Sequence, residues 1–235
     1  RQQQLLEVLH ATGKPVVLVL INGQPLTINW ADRNIPSILE AWFPGQLGGE
    51  AIAQTLFGDY NPGGRLSVTF PRSIGQIEFN FPFKPGSQDG QYFEGPNGSG
   101  RTRVNGALYP FGYGLSYTTF AYSNLSVKQE TPYSQSPVTV TVDVTNTGKR
   151  AGDEVVQLYI RDKVSSVIAY ESVLRGFERI SLQPGETKTV SFVLLPEDLQ
   201  ILDRHMEWTV EPGEFEVRIG ASSNDIKLKE TFVVK

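Results

Sequence analysis

The feature that most constrains the fold is a strict alternation of apolar and polar residues in the second half of the chain. In residues 138–145, valine occupies every second position, and a threonine or an aspartate occupies each position between. This period of two is typical of a β-strand with one buried and one solvated face. Similar apolar alternation recurs, between turns rich in Gly, Pro, Asn and Ser, in residues 155–161, 190–194, 215–219 and 226–234.

Two further strand-like segments, residues 120–127 and 174–180, bring the total to about seven short strands. This number predicts an immunoglobulin-like sandwich. Because the chain has no cysteine, it lacks the Cys…Trp…Cys pattern of true immunoglobulin domains, which favours the fibronectin type III-like version.

The first third of the chain has a different pattern, in which predicted helices and strands alternate. Residues 2–11 predict a helix, and the purely apolar run from Val16 to Ile21 is typical of a strand that is buried on both faces of a parallel sheet. Further predicted elements are a strand at 38–43, a helix at 48–57 and a strand at 66–70. This order indicates an α/β sheet, and so few elements predict only half of one.

The two patterns together give the predicted fold class, an α/β partial sandwich domain followed by an all-β immunoglobulin/fibronectin type III-like sandwich. We predict the C-terminal half of an α/β sandwich domain in residues 1–71 and the β-sandwich in residues 120–235. Residues 72–119 between them form a long loop, rich in Gly, Pro and Asn, and an aromatic interdomain junction.

The composition excludes several classes of function. With 21 Lys and Arg against 25 Asp and Glu, the net charge is −4 and no basic run occurs, so we expect no nucleic-acid partner. The absence of cysteine excludes thiol nucleophiles and cysteine-ligated metals, and two distant histidines, His10 and His205, exclude a histidine cluster. We therefore predict no metal and no cofactor. The longest apolar run is far shorter than the roughly 20 residues of a membrane span, so none is expected.

Carboxylates remain the main candidates for chemistry. Glu40 stands inside a predicted apolar strand, where an unpaired charge is costly, so it is either a general acid or part of a structural ion pair. The Gly-rich segment 44–50 precedes a helix but lacks the Gly-Lys-Ser/Thr ending of a phosphate loop, and we interpret it as a strand-to-helix turn with close backbone approach. Other candidate carboxylates, most simply solvated, are Asp32, Glu50, Asp59 and Glu94.

Aromatic residues are concentrated between the two predicted regions. The segment 109–120 contains Tyr109, Phe111, Tyr113, Tyr117 and Phe120. An exposed aromatic platform could stack on sugar rings, but the position of the segment favours packing between domains, because rings bury a large area.

Several long strings of this sequence resemble those of glycoside hydrolase family 3. They are Pro44-Gly45-Gln46-x-Gly48-Gly49-x-Ala51, Leu56-Phe57-Gly58-Asp59-x-Asn61-Pro62-x-Gly64-Arg65-Leu66, Thr69-Phe70-Pro71, Tyr109-Pro110-Phe111-Gly112-Tyr113-Gly114-Leu115-Ser116-Tyr117, Val144-x-Asn146-Thr147-Gly148, Leu174-Arg175-Gly176-Phe177, Pro184-Gly185-Glu186-Thr187 and Glu211-Pro212-Gly213-x-Phe215. They extend over nearly the whole chain in the family's order. One loop departs from the pattern: Tyr92-x-Glu94-Gly95 is present, but Gly100-Arg101-Thr102-Arg103 stands where the family has Gly-Tyr-Arg-Tyr.

The resemblance implies a three-part, retaining, exo-acting β-glycosidase, of β-glucosidase or β-xylosidase type, that acts on terminal β-linked sugars. Retention needs two carboxyl groups roughly 5–5.5 Å apart. In the family, the nucleophile belongs to an N-terminal barrel, and the acid/base lies before the segment that matches residues 2–8. We therefore predict that the chain lacks both catalytic carboxylates, contributes no catalytic residue and is inactive alone.

The predicted role is architectural, as the C-terminal portion of such an enzyme. The expected partners are the missing barrel and first half of the α/β domain, a β-linked oligosaccharide in the full-length enzyme, and further copies of the fragment through its open sheet. We expect an exported bacterial protein, periplasmic or extracellular. The alternative is a carbohydrate-binding or cell-surface interaction module that uses the junction aromatics and the loop 79–103.

Overall fold

The computed structural model describes residues 1–76, 80–84, 106–133 and 136–235. In the first part, two short strands pair in parallel, with Leu18 opposite Ile38, and a short helix connects them. This arrangement confirms the predicted α/β character. The elements are α1 (Gln2–Ala11), β1 (Val17–Leu20), α2 (Asn29–Asn34), β2 (Ser37–Glu40) and α3 (Gly48–Phe57).

Both predicted helices have the expected bounds, and α3 ends where Gly58 adopts the left-handed conformation with φ 82°. Helix α2 was not predicted, because its six residues are too short to show a helical period. Strand β2 ends at Glu40, earlier than the predicted 38–43. The chain turns there, since Trp42 has φ 49° and donates its N–H to the Glu40 carboxylate at 2.9 Å.

The prediction of a strand at residues 66–70 is wrong. The segment meets the junction only at its two ends, where Leu66 N–H donates to Tyr113 O at 2.8 Å and Phe70 N–H to Tyr109 O at 2.9 Å. Pro110 lies between these two partners and has no N–H to continue a ladder. The segment therefore forms an isolated bridge at Phe70.

Strand β1 is not buried on both faces in the described residues, although its apolar sequence predicts that environment. Val17 at its start is 47% exposed, and Ile21 just beyond its end is 61% exposed. The two-stranded sheet is thus only partly covered by the described part of the chain.

The second half is a two-layer β-sandwich of seven main strands, as the sequence predicts. A three-stranded sheet of order β3-β4-β7 packs against a four-stranded sheet of order β11-β10-β5-β6. A small hairpin of β8 and β9, each two residues long, was not predicted. The strands are β3 (Phe120–Gln129), β4 (Val138–Asn146), β5 (Gly152–Asp162), β6 (Val173–Leu182), β7 (Thr187–Leu194), β8 (Ile201–Leu202), β9 (Trp208–Thr209), β10 (Gly213–Gly220) and β11 (Ile226–Val234).

The core of the sandwich follows directly from the alternation in the sequence. In β4, the valines at 138, 140, 142 and 144 are fully buried, and the residues between them face outwards. From the opposite sheet, Phe215 and Phe232 add a stacked ring pair with centroids 5.6 Å apart. The interior is thus a closed apolar layer between the two sheets.

Candidate functional site

The junction residues 106–120 pack against both parts of the molecule. The rings of Tyr109 and Tyr113 stack with centroids 5.3 Å apart. Phe111 stacks on Phe81 at 4.7 Å, and Phe81 meets the ring of the sandwich residue Tyr159 edge-on at 5.5 Å. These contacts support the packing interpretation of the aromatic segment over a free platform for sugars. Tyr117 is the more open ring, at 45% exposed.

Asn61 connects the segment after α3 to the junction and to the sandwich. Its Oδ1 accepts hydrogen bonds from the Ser116 hydroxyl at 2.9 Å and from the Tyr117 N–H at 2.8 Å. Its Nδ2 donates to Ala151 O at 2.9 Å. One amide side chain therefore satisfies groups on both sides of the boundary.

A buried ion pair joins the same two parts. Arg65 Nη2 lies 2.8 Å from Glu154 Oε1, and the two side chains are 8% and 4% exposed. Glu154 Oε1 also accepts the N–H of Val155 at 2.8 Å. Burial, followed by the Glu154 charge, raises the pKa of the neighbouring Tyr122 well above its usual range. The pair is structural, because both side chains are enclosed and the carboxylate already binds the guanidinium and a backbone N–H through Oε1.

Two glycines allow the junction backbone to lie directly against its neighbours. Gly112 has φ 81° and its carbonyl accepts from Gln157 Nε2 at 3.1 Å. A Cβ at Gly114 would lie 2.3 Å from the carbonyl oxygen of Gly64. Any side chain at either position would separate the two parts.

The candidate carboxylates of the described residues have separate hydrogen-bond partners. Asp32 accepts the Tyr109 hydroxyl at 2.8 Å, and Glu50 accepts from Gln54 one turn along α3. Asp59 is exposed in the turn after α3, and Glu94 and the departing loop string lie outside the described residues. Within the described ranges there is no group of three or more metal-ligating side chains.

The histidines show no catalytic arrangement. His10, in the last turn of α1, meets the ring of Trp30 edge-on with centroids 5.7 Å apart. His205 lies in the turn of the β8–β9 hairpin, where its N–H donates to Asp203 at 2.7 Å.

The segment 44–50 forms the close strand-to-helix turn that its glycines suggest. Gly45 has φ 73°, and a Cβ at Gly48 would lie 2.6 Å from the Pro44 ring. The acidic residue Glu50 occupies the first turn of α3, where it complements the helix dipole and disfavours a bound anion.

Glu40 differs from the other carboxylates because it is enclosed and lacks an ionic partner in the described part of the chain. It ends β2, and its Oε1 accepts the Trp42 N–H, whereas Oε2 has no hydrogen-bond partner there. Burial raises the pKa of Glu40, and the Trp42 N–H and the Asn22 amide partly offset that rise. A structural ion pair, one of the two alternatives left open by the sequence, is therefore not formed within these residues.

Asn22 lies beside Glu40 and was not predicted from the sequence as a site residue. Asn22 follows β1, and its Oδ1 is also enclosed without a partner among the described residues, while Nδ2 donates to Gln24 O at 2.7 Å. The available signal was its position, because the carboxyl ends of parallel strands meet at one edge of a sheet, where ligands commonly bind.

Large apolar side chains remain exposed around the α/β part. Helix α1 has no buried residue, although one side of it is apolar. The exposed side chains are Leu5 (62%), Val8 (66%), Leu9 (45%), Ile21 (61%), Phe43 (77%), Leu47 (70%) and Phe57 (83%). Exposed apolar side chains of this size are candidates for an interaction surface where they lie next to one another.

A small parallel α/β sheet with exposed apolar side chains, joined to a closed β-sandwich, defines a two-part architecture of α/β and all-β class. Residues 1–117 match the model of the glycosyl hydrolase family 3 C-terminal domain, and residues 154–223 match that of the fibronectin type III-like domain. The chain belongs to glycoside hydrolase family 3 and corresponds to the C-terminal portion of its β-glucosidases and β-xylosidases.

Curated relatives match almost the whole chain. A β-xylosidase of Formosa agariphila is 49% identical over 231 residues, which are 97% of this chain and 31% of that protein. A periplasmic β-glucosidase of Salmonella typhimurium is 46% identical over 236 residues, covering 96% and 30%. The chain thus spans about 30% of the length of these relatives.

Solved structures agree with this assignment. A β-glucosidase of Erythrobacter marinus matches all of this chain and 30% of its own, at 40% identity and a TM-score of 0.88. A mutant β-glucosidase of Listeria innocua in complex with laminaribiose matches 100% of this chain and 32% of its own, at 34% identity and a TM-score of 0.88. Among the described residues, no helix has the length and apolarity to cross a membrane.

Proposed function

We propose that this chain works as the C-terminal part of a retaining, exo-acting β-glycosidase that removes terminal β-linked glucose or xylose. Its role is architectural, and both reacting carboxylates come from outside these 235 residues. In support, the relatives are named β-xylosidases and β-glucosidases. Among the described residues, the candidate carboxylates Asp32, Glu40 and Glu50 each have a different hydrogen-bond partner.

The open apolar surface of the α/β part carries this proposal. The sandwich buries its apolar side chains, whereas α1, β1 and the segments around Phe43 and Phe57 expose theirs. Such exposure is expected where a domain core has been divided. The partner is the remainder of a family 3 enzyme, a barrel together with the first half of the α/β domain, and the substrate is a β-linked oligosaccharide.

The proposed organisation is that of the sequence analysis: residues 1–71 in the α/β domain, 72–119 as loop and junction, and 120–235 as the sandwich. When the chain is isolated, its partly uncovered two-stranded sheet favours self-association. Because one relative is named a periplasmic enzyme, we extend the proposal to an exported location.

The test compares the 235-residue chain with the complete polypeptide that carries it, using aryl β-glucoside and β-xyloside substrates. We expect hydrolysis by the complete polypeptide and none by the chain. Turnover by the purified chain itself would overturn the architectural role. Absence of turnover on both substrates by the folded, complete polypeptide would overturn the proposed activity.

The carbohydrate-binding alternative has a separate test. Titration of the chain with soluble β-glucans should give no saturable binding, because Tyr113 is stacked on Tyr109. Saturable binding that disappears in Tyr113→Ala would favour a sugar-binding module instead.

A further inference from the structure

The carboxyl edge of the β1–β2 sheet holds two enclosed oxygen atoms that accept no hydrogen bond within the described residues. They are Asn22 Oδ1, just after β1, and Glu40 Oε2, at the end of β2. Because the strands are parallel, both residues lie at the same edge. Enclosed polar atoms in native proteins are nearly always hydrogen-bonded, so this pair points to a partner that the described residues do not provide.

The chemistry of the pair specifies the partner. Both atoms are acceptors, and one of the two N–H groups of Asn22 Nδ2 donates to Gln24 O at 2.7 Å. Glu40 Oε1 is likewise occupied by the Trp42 N–H. A partner must therefore bring at least two donors, and a positive charge would compensate the carboxylate.

The surroundings indicate a protein partner rather than a sugar. Ile21 precedes Asn22 and is 61% exposed, and Phe43 and Leu47 follow Glu40 at 77% and 70% exposed. The Phe43 ring lies over Gly23, where a Cβ would be 2.7 Å from it. Apolar contacts around this polar pair would exclude water from it, as the contacts that surround the central residues of a protein interface do.

We propose that Asn22 Oδ1 and Glu40 Oε2 together receive the guanidinium group of an arginine from the part of the family 3 enzyme that this chain does not span. A guanidinium fits because its planar fork offers several donors at fixed angles and remains charged when enclosed. The inference rests on the proposed function, because it names the contact made when the α/β domain is completed. The relatives extend about 70% of their length beyond the matched region, which is ample to supply such a residue.

The first test measures thermal unfolding of Glu40→Gln in two contexts, the isolated chain and the complete polypeptide. In the chain, the variant should unfold at the same temperature or higher, because it removes an enclosed, unpaired carboxylate. In the complete polypeptide, it should lower the midpoint by roughly 5 °C, because a guanidinium then loses its counter-charge. Glu50→Gln provides the control: this exposed residue of α3 loses only its favourable interaction with the helix dipole, so both midpoints should fall by the same small amount.

For a second variant, we expect the larger loss of stability in the isolated chain and the smaller loss in the complete polypeptide. Asn22→Asp places another carboxylate beside Glu40, so it should destabilise the chain through like-charge repulsion. In the complete polypeptide, the guanidinium offsets this repulsion, and the loss should be smaller than in the chain. Equal effects of either variant in both contexts would overturn the inference.

A structure of the complete polypeptide decides the point if a variant fails to fold. Arginine nitrogens from outside the 235 residues within hydrogen-bond distance of both oxygens support the inference; an arginine of this chain, a backbone amide, a hydroxyl or water there overturns it. Aryl glycoside hydrolysis by the same wild-type sample separates this result from the proposed function. An active enzyme without the arginine refutes the contact alone.

Discussion

The sandwich and the α/β part differ in the extent to which they bury their apolar side chains. In the sandwich, Val142 and Phe215 are at most 1% exposed, and both sheets are present. In the α/β part, Val8 and Phe57 are 66% and 83% exposed. The comparison shows that the sandwich holds its own core, whereas the described α/β part leaves many of its large apolar side chains exposed.

Truncation of an aromatic side chain should show this difference most strongly. Phe215→Ala should lower the free energy of unfolding of the chain by about 3–5 kcal/mol, because it leaves a cavity beside Phe232. Phe57→Ala should lower it by about 0.5 kcal/mol or less, as expected for an exposed position. Urea unfolding at low protein concentration measures both, and a comparable loss in the two variants would remove the contrast between the regions.

The ion pair that connects the regions should give the next largest effect. Glu154→Ala should destabilise the chain by about 3 kcal/mol, because Arg65 then remains enclosed and unpaired. The control is Glu214→Ala, since the Lys163–Glu214 pair is solvent-exposed and should contribute about 0.5 kcal/mol. If the two variants unfold at the same urea concentration, the Arg65–Glu154 pair does not hold the regions together.

Loss of the Asn61 side-chain amide, which binds groups of both regions, should have a smaller effect on stability. Asn61→Ala removes three hydrogen bonds at the boundary and should cost about 1–2 kcal/mol. Hydrogen exchange should increase at Tyr117, whose N–H loses its acceptor, while the core strand β4 stays protected. Asn224→Ala, at an exposed turn in the sandwich, is the matched control. Unchanged exchange at Tyr117 would contradict the role of Asn61.

The weakest contrast concerns pH, because the carboxylates of the two regions shift in opposite directions. Hydrogen bonds from Thr189 and Asn124 lower the pKa of Asp143 in the sandwich, whereas burial raises the pKa of Glu40. Stability from Asp143 is present at neutral pH and is lost as the pH falls through its lowered pKa. Protonation of Glu40, in contrast, favours the folded chain on acidification.

The opposite pKa shifts predict that the two variants change the slope of unfolding temperature against pH in opposite directions. Between pH 7 and pH 3, Asp143→Asn should flatten the decline of the unfolding temperature, and Glu40→Gln should steepen it. Circular dichroism melts across this range measure both slopes. Identical slopes for the two variants would mean that the regions do not differ in this respect.

The sequence predicts best where the structure is locally determined. The valine alternation of β4 predicts its buried face, and Gly58 marks the end of α3, because each depends on neighbouring residues alone. The segment 66–70 looks like a strand locally, but its partner is the junction, and Pro110 prevents a ladder there. The alternation of apolar residues in this segment therefore does not produce a strand, because pairing with a distant segment, which no local pattern shows, determines the structure there.

The candidate site is less predictable for the same reason. The unusual place of Glu40 in an apolar segment is visible in the sequence, but its association with Asn22 depends on the parallel pairing of β1 and β2. The bond of Asp32 to Tyr109 connects residues 77 positions apart, which no local pattern reveals. The sequence therefore indicates Glu40 as a candidate carboxylate but does not show which residues lie beside it.

The glycines of the junction have a consequence for engineering hybrid enzymes from family members. Because the backbone at Gly112 and Gly114 lies directly against Gln157 and Gly64, the linker, the turn after α3 and the face of β5 form one matched set. A recombination point placed at residue 119 would join surfaces of different origin across this tight fit. Exchanged sandwiches should therefore carry residues 58–65 and 106–118 with them.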